Sequence, residues 1–126
     1  MAKQKLIWKK APEAQDYEGA RNYLLLMYSE AKSNKLIVKL RKAKTITRAA
    51  KDLLRASDLP LLGTDDSHVD EDLKRISKAK ALPPVLLIRG DHLRGVPLLV
   101  ADGYHRICAI CHYDESAPIA CRLISA

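Results

Sequence analysis

From Pro83 onward the chain is cut into short pieces by prolines and glycines, and this punctuation limits the fold more than any other feature. Pro83 and Pro84 are expected to stop a helix, because proline disfavours the helical conformation in the residue before it. VLLI, Val85 to Ile88, then reads as a short buried strand, and RGDHLRG as a turn with two glycines. PLLVA, 97–101, reads as a second strand, and Asp102-Gly103 as a tight turn. Residues 104–113 suffice for a short helix, apolar along Ile107, Ala109, Ile110 and Cys111, and APIACRLI closes with a strand. Upstream, Ser67 followed by Asp70 resembles a capping box, after which Val69, Leu73 and Ile76 mark a helix face. The order after residue 66 is helix, strand, strand, helix, strand, which predicts an α+β fold with a small mixed sheet and flanking helices.

The first half is less sharply marked. Pro12 suits a first helical turn, and Tyr17, Ala20, Leu24, Met27, Tyr28 and Ala31 recur as one helix face that SNK, 33–35, is expected to end. In the next segment, 35–55, eight basic residues stand against one acid, Asp52. Leu36, Val38 and Leu40 alternate as in a strand, and from Thr47 the pattern turns helical, so periodicity leaves this segment open between the two. DLPLLGTDDSHVD, broken by Pro60 and Gly63, reads as a loop.

A chain of 126 residues suits one domain, and with 48% hydrophobic residues, no Phe and one Trp its core is aliphatic. No apolar stretch has the length of a membrane span, and the first residues carry charge without an apolar signal region. Three cysteines do not make a disulfide framework. The chain is therefore expected to be cytoplasmic, with no membrane partner. Its net charge of +7 is uneven: residues 1–55 hold 14 Lys and Arg against 5 Asp and Glu, whereas 56–126 hold 8 against 10. A basic first half suggests an anionic partner there; a solvated surface is the commoner fate of lysines, and the density of charge in one segment leaves the two readings even here.

Four chemistries compete for VADGYHRICAICHY, 100–113. Cys108-Ala109-Ile110-Cys111-His112 matches the C-x-x-C-H of haem attachment, but both thiols fall in an apolar helix, where cysteine acts as a small hydrophobe. Zinc needs four converging ligands, and one C-x-x-C with Cys121 and a histidine is weak support. The expectation is thus no haem, no zinc and no other bound metal in the protein's own ligand set. A cysteine nucleophile requires an exposed electropositive site, whereas Cys108 is expected to be buried. The fourth possibility is a phosphate socket. Gly103 permits a tight turn, the following helix directs free N–H groups and its positive dipole end outward, and His105 and Arg106 add charge-assisted donors. The competing view is a structural turn with Arg106 paired to Asp102. In the socket view Arg106 lies outside the apolar face, so Arg106→Lys is expected to leave the fold intact.

Gly103-Tyr104-His105-Arg106-Ile107-Cys108-Ala109 resembles the glycine-x-basic-arginine-x-x-alanine signature of the ParB/sulfiredoxin-like superfamily, and Asp102 to Arg106 resembles its DGHHR variant. The likeness extends from about Lys51 to Leu123 through DLLRASDLPLL, LPPVLLIRGD, PLLVADGYHR and APIACRLI. It implies a ParB-like domain over 49–126, preceded by a basic N-terminal helical extension over 1–48. It further implies a nucleotide phosphate site at Asp102, Gly103, His105 and Arg106. Asp102 would orient Arg106 or help hold a metal, and the ligand would be a nucleoside di- or triphosphate with magnesium. Tyr104 stands where sulfiredoxins carry their reactive cysteine, which argues against sulfinic-acid repair. No helix-turn-helix of the partition proteins is expected after the closing strand. The expected function is that of a stand-alone binding domain whose Lys39, Arg41, Lys42, Lys44, Arg48 and Lys51 contact nucleic acid, DNA backbone above all; a homodimer is allowed for. The alternatives are a phosphotransferase resembling free serine kinases, with Asp58, Asp65 or Asp66 as base, and a regulatory protein with a degenerate site.

Overall fold

The computed structural model describes residues 5–126. Its first helix, α1 (Ala14–Leu24), is followed by a turn and by α2 (Glu30–Lys42). SNK therefore does not end a helix; it lies inside α2. The break comes earlier, because Ser29 caps α2 by accepting the Lys32 N–H at 3.2 Å. The apparent strand alternation is also overturned. Leu36, Ile37 and Leu40 make the buried stripe of a helix, while Val38 points outward, 47% exposed.

Strand β1 (Ile46–Ala49) then runs directly into α3 (Ala50–Ser57), so the helical pattern read from Thr47 starts three residues later. The next helix is α4 (Ser67–Ser77), and its cap is Asp66 rather than Ser67. The Asp66 carboxylate accepts the N–H groups of His68 at 2.9 Å and Val69 at 3.1 Å, filling two of the helix's orphan donors. This helix ends before Pro83 and Pro84 are reached, at Lys78 and the left-handed Ala79 (φ 55°). The rest follows in the expected order: β2 (Val85–Ile88), β3 (Leu99–Asp102), α5 (Tyr104–Asp114) and β4 (Pro118–Ile124).

The four strands form one mixed sheet in the order β1-β4-β2-β3. The outer pairs are antiparallel and the central β2–β4 pair is parallel, with Leu86 opposite Arg122 and Ile88 opposite Ile124. A four-stranded mixed sheet with five α-helices makes this a small α+β protein.

Both faces of the sheet are covered, which is why VLLI is apolar throughout instead of alternating. Val85 and Leu87 join the core under α3, α4 and α5, together with Leu53, Val69, Ile107 and Ile119. Leu86 and Ile88 join a second core with Tyr17, Ala20 and Leu24 of α1 and Leu36, Ile37 and Leu40 of α2. Residues 14–42 thus form a layer of the packed structure, and the boundary expected at 48/49 falls within β1. The chain before α1 is also tied down: Lys9 N–H donates to Leu82 C=O and Leu82 N–H to Ile7 C=O, each at 2.8 Å.

Candidate functional site

Strand β3 delivers Asp102 to the edge of a cleft, and Gly103 reverses the chain into α5. Gly103 has φ +105°, a conformation that L side chains rarely adopt. A Cβ there would lie 2.5 Å from Cγ1 of Val85, so packing on β2 demands glycine as well. Among the described residues no side chain caps the first turn of α5.

Arg106 projects from that turn and is only 9% exposed. Its Nη2 faces Oδ1 of Asp16, from α1, at 3.5 Å, so Asp16 is its ion-pair partner and not Asp102. Among the described residues its Nε and Nη1 find no hydrogen-bond partner. Asp16 is itself buried and held in place, because its other oxygen accepts the Glu13 N–H at 2.7 Å.

Asp102 is the third member of this group. Its Oδ2 is buried and has no hydrogen-bond partner among the described residues. Burial pushes its carboxyl up to about 7, the negative Asp16 pushes the same way, and Arg106 offsets part of the rise. Helix α1 reaches this carboxylate closely at Gly19, where a Cβ would be 3.1 Å from Oδ1.

Helix α4 supplies the opposite wall. Asp72 is buried, pairs with Arg75 at 3.3 Å, and has its carboxyl raised by desolvation. His105 lies at the mouth, with Nε2 4.0 Å from the Asp66 carboxylate and its ring 4.8 Å from that of His68. The cleft has a volume of about 220 Å³ and is lined by Asp16, His68, Glu71, Asp72, Arg75, Asp102, Gly103, His105 and Arg106. The four residues expected at the site, Asp102, Gly103, His105 and Arg106, therefore meet there. Asp16, Asp72, Arg75, Glu71 and His68 were not foreseen. Nothing in the local pattern of α1 or α4 marks them, since they reach the motif only through packing. Asp58 and Asp65 do not line the cleft; Asp58 is the left-handed C-cap of α3.

Chemically, the cleft joins two guanidinium nitrogens without a partner among the described residues, Nε and Nη1 of Arg106, and an open helix N-terminus to a carboxylate pair. It can bind an oxyanion, and it can accept a proton near neutral pH. The thiols take no part in it. Cys108 is buried, with its thiol pushed up by burial; Cys111 and Cys121 are pushed up to about 11 for the same reason. Among the described residues no three His, Cys, Asp or Glu side chains converge as metal ligands.

The six cations expected at a nucleic-acid surface are all exposed, but they do not share one face. Lys39 donates to the Ser125 carbonyl, and the Arg41 guanidinium lies 4.2 Å from the centre of the Tyr17 ring, both on the α1–α2 side. Lys42 ends α2, and Lys44 lies in the turn after it. Arg48 and Lys51 line clefts on the other side of the sheet, beside Leu53 and beside Cys111. No helix among the described residues is long and apolar enough to cross a membrane.

The chain matches no family model, no curated protein and no solved structure.

Proposed function

We propose that the chain is a ParB-like binding domain that holds the phosphate end of a nucleotide at the N-terminus of α5. The observation that carries this reading is Arg106, a buried guanidinium whose Nε and Nη1 have no partner among the described residues, beside a helix start without a side-chain cap. A buried cationic donor left without a partner is costly unless an acceptor meets it, and phosphate oxygens match its planar fork. The cleft volume of about 220 Å³ holds a phosphate group rather than a whole nucleotide, so the nucleoside would lie outside. Magnesium is usually bound through one or two carboxylates together with phosphate oxygens, whose charge it neutralises. Asp102, with its unpartnered Oδ2 at the cleft, is the residue that would hold it.

The test is calorimetric titration with nucleoside di- and triphosphates, with and without magnesium. Saturable binding is expected, weakened about ten- to hundredfold in Arg106→Lys, the equivalent of about 1.5–3 kcal/mol. His105→Ala should lose less. If the parent protein binds none of them, the reading fails.

A second reading, a nucleotide-dependent phosphotransferase, is favoured by Asp102, because a carboxyl raised to about 7 is suited to take a proton from a hydroxyl at neutral pH. Turnover of nucleotide with a small hydroxyl acceptor, lost in Asp102→Asn, separates it from simple binding. DNA contact through the basic segment remains a proposal beside both, supported by the exposure of Lys39, Arg41 and Lys42 on α2.

A further inference from the structure

At the opposite end of β2 from Gly103 the molecule has a second cleft, of about 350 Å³, between α3 and the β2–β3 connection. Its floor is apolar: Leu53 of α3, Leu87 of β2 and Leu123 of β4. Its rim carries Arg48, Arg89 and His92.

The wall is held by backbone contacts. The Leu98 N–H donates to Ala56 C=O at 2.9 Å, tying the start of β3 to α3. Asp91 and Val96 exchange N–H···O bonds of 2.8 and 2.9 Å, which fold the connection into a tight lip. Gly90 lets that lip close on the end of β2, since a Cβ would come within 2.4 Å of the Val96 and Pro97 carbonyl oxygens.

The rim charge is free. Among the described residues, the side chains of Arg89 and His92 have no hydrogen bond or ion pair, and Arg48 donates only to its neighbour's carbonyl at 2.7 Å. The one carboxylate of the cleft, Asp52, pairs with Arg55 at 3.4 Å.

We infer that this cleft binds a small organic monoanion, a carboxylate carrying a branched aliphatic or single aromatic body. Pockets of about 300–1,000 Å³ with apolar walls and a few placed polar groups are the usual form of small-molecule sites. Here the leucine floor takes the body and the free arginines take the carboxylate. A nucleic-acid backbone would satisfy the rim but leave the leucine floor unused.

The test is a heteronuclear NMR titration of the full chain with 4-methylpentanoate and phenylacetate, each beside its neutral amide. The inference expects saturable shifts at Arg48, Leu53, Arg89 and His92, with the amides at least about tenfold weaker. Arg89→Glu, at an exposed position, should weaken the carboxylates by a similar factor. Ala56→Trp should block them by filling the mouth. Equal binding of acid and amide, shifts centred on Arg106 instead, or no saturation at the highest soluble concentration would each overturn it.

Discussion

Arg106 joins the candidate site to the stability of the protein. It was expected to be dispensable for folding, yet it is buried against Asp16, which is 5% exposed. Removing one partner of a buried ion pair strands the other charge and costs about 3–5 kcal/mol. Urea denaturation of Arg106→Met should show a loss of that size, and adding Asp16→Asn should restore part of it, because the stranded carboxylate is gone. A double variant no more stable than the single one would show that the pair is not coupled. Asp102 predicts a pH dependence with a definite sign. Its carboxyl is raised from 3.8 to about 7 by folding, so between those values the folded state holds the proton more tightly than the unfolded one. Its contribution to stability is fully present below about 4 and is lost as pH rises through about 7. Asp102→Asn should flatten this fall and be more stable than the parent at pH 8, as read from denaturation midpoints at pH 5 and pH 8.

At the scale of elements, the β3–α5 junction is held by a glycine for two separable reasons. Gly103→Ala places a side chain at φ +105° and drives its Cβ into Val85. The backbone strain alone is worth about 1–3 kcal/mol. Gly103→Ala should therefore lose more than that, and Val85→Ala in the same chain should recover the steric part but not the backbone part. Additive losses in a thermal-melt comparison would mean that the two residues do not clash. The strand-turn-helix here was legible because a short apolar run, a Gly and a helical period are all local signals. The α1–α2 break was not. Tyr17 through Ala31 keep a helical spacing across the turn, and the decisive event is a capping contact of Ser29 with Lys32.

Across the whole molecule, the uneven charge noted in the sequence acquires a geometry. Lys39, Arg41 and Lys42 lie on the layer that covers one face of the sheet, while Arg48 and Lys51 line clefts on the other side. If the α2 side contacts DNA backbone, reversing Lys39, Arg41 and Lys42 to Glu should abolish binding and flatten its salt dependence. Reversing Arg48 and Lys51 should change it little. Fluorescence anisotropy against a duplex over a range of salt, with a melting curve for each variant, reads both. Unchanged affinity in the α2 variant would identify those charges as a solvated surface.

By itself the sequence determined the elements from α4 onward and the four motif residues at their junction, because turn chemistry and short-range periodicity act within a few residues. It also determined that the sheet would be mixed, through the strand, hairpin and helix order. Tertiary structure alone decided that α1 and α2 would cover the second sheet face, since their helical stripe has meaning only against Leu86 and Ile88. It alone decided the ionic partner of Arg106 and the acidity of Asp102. Both depend on Asp16, brought from the other end of the chain by packing, and on burial that no single segment creates.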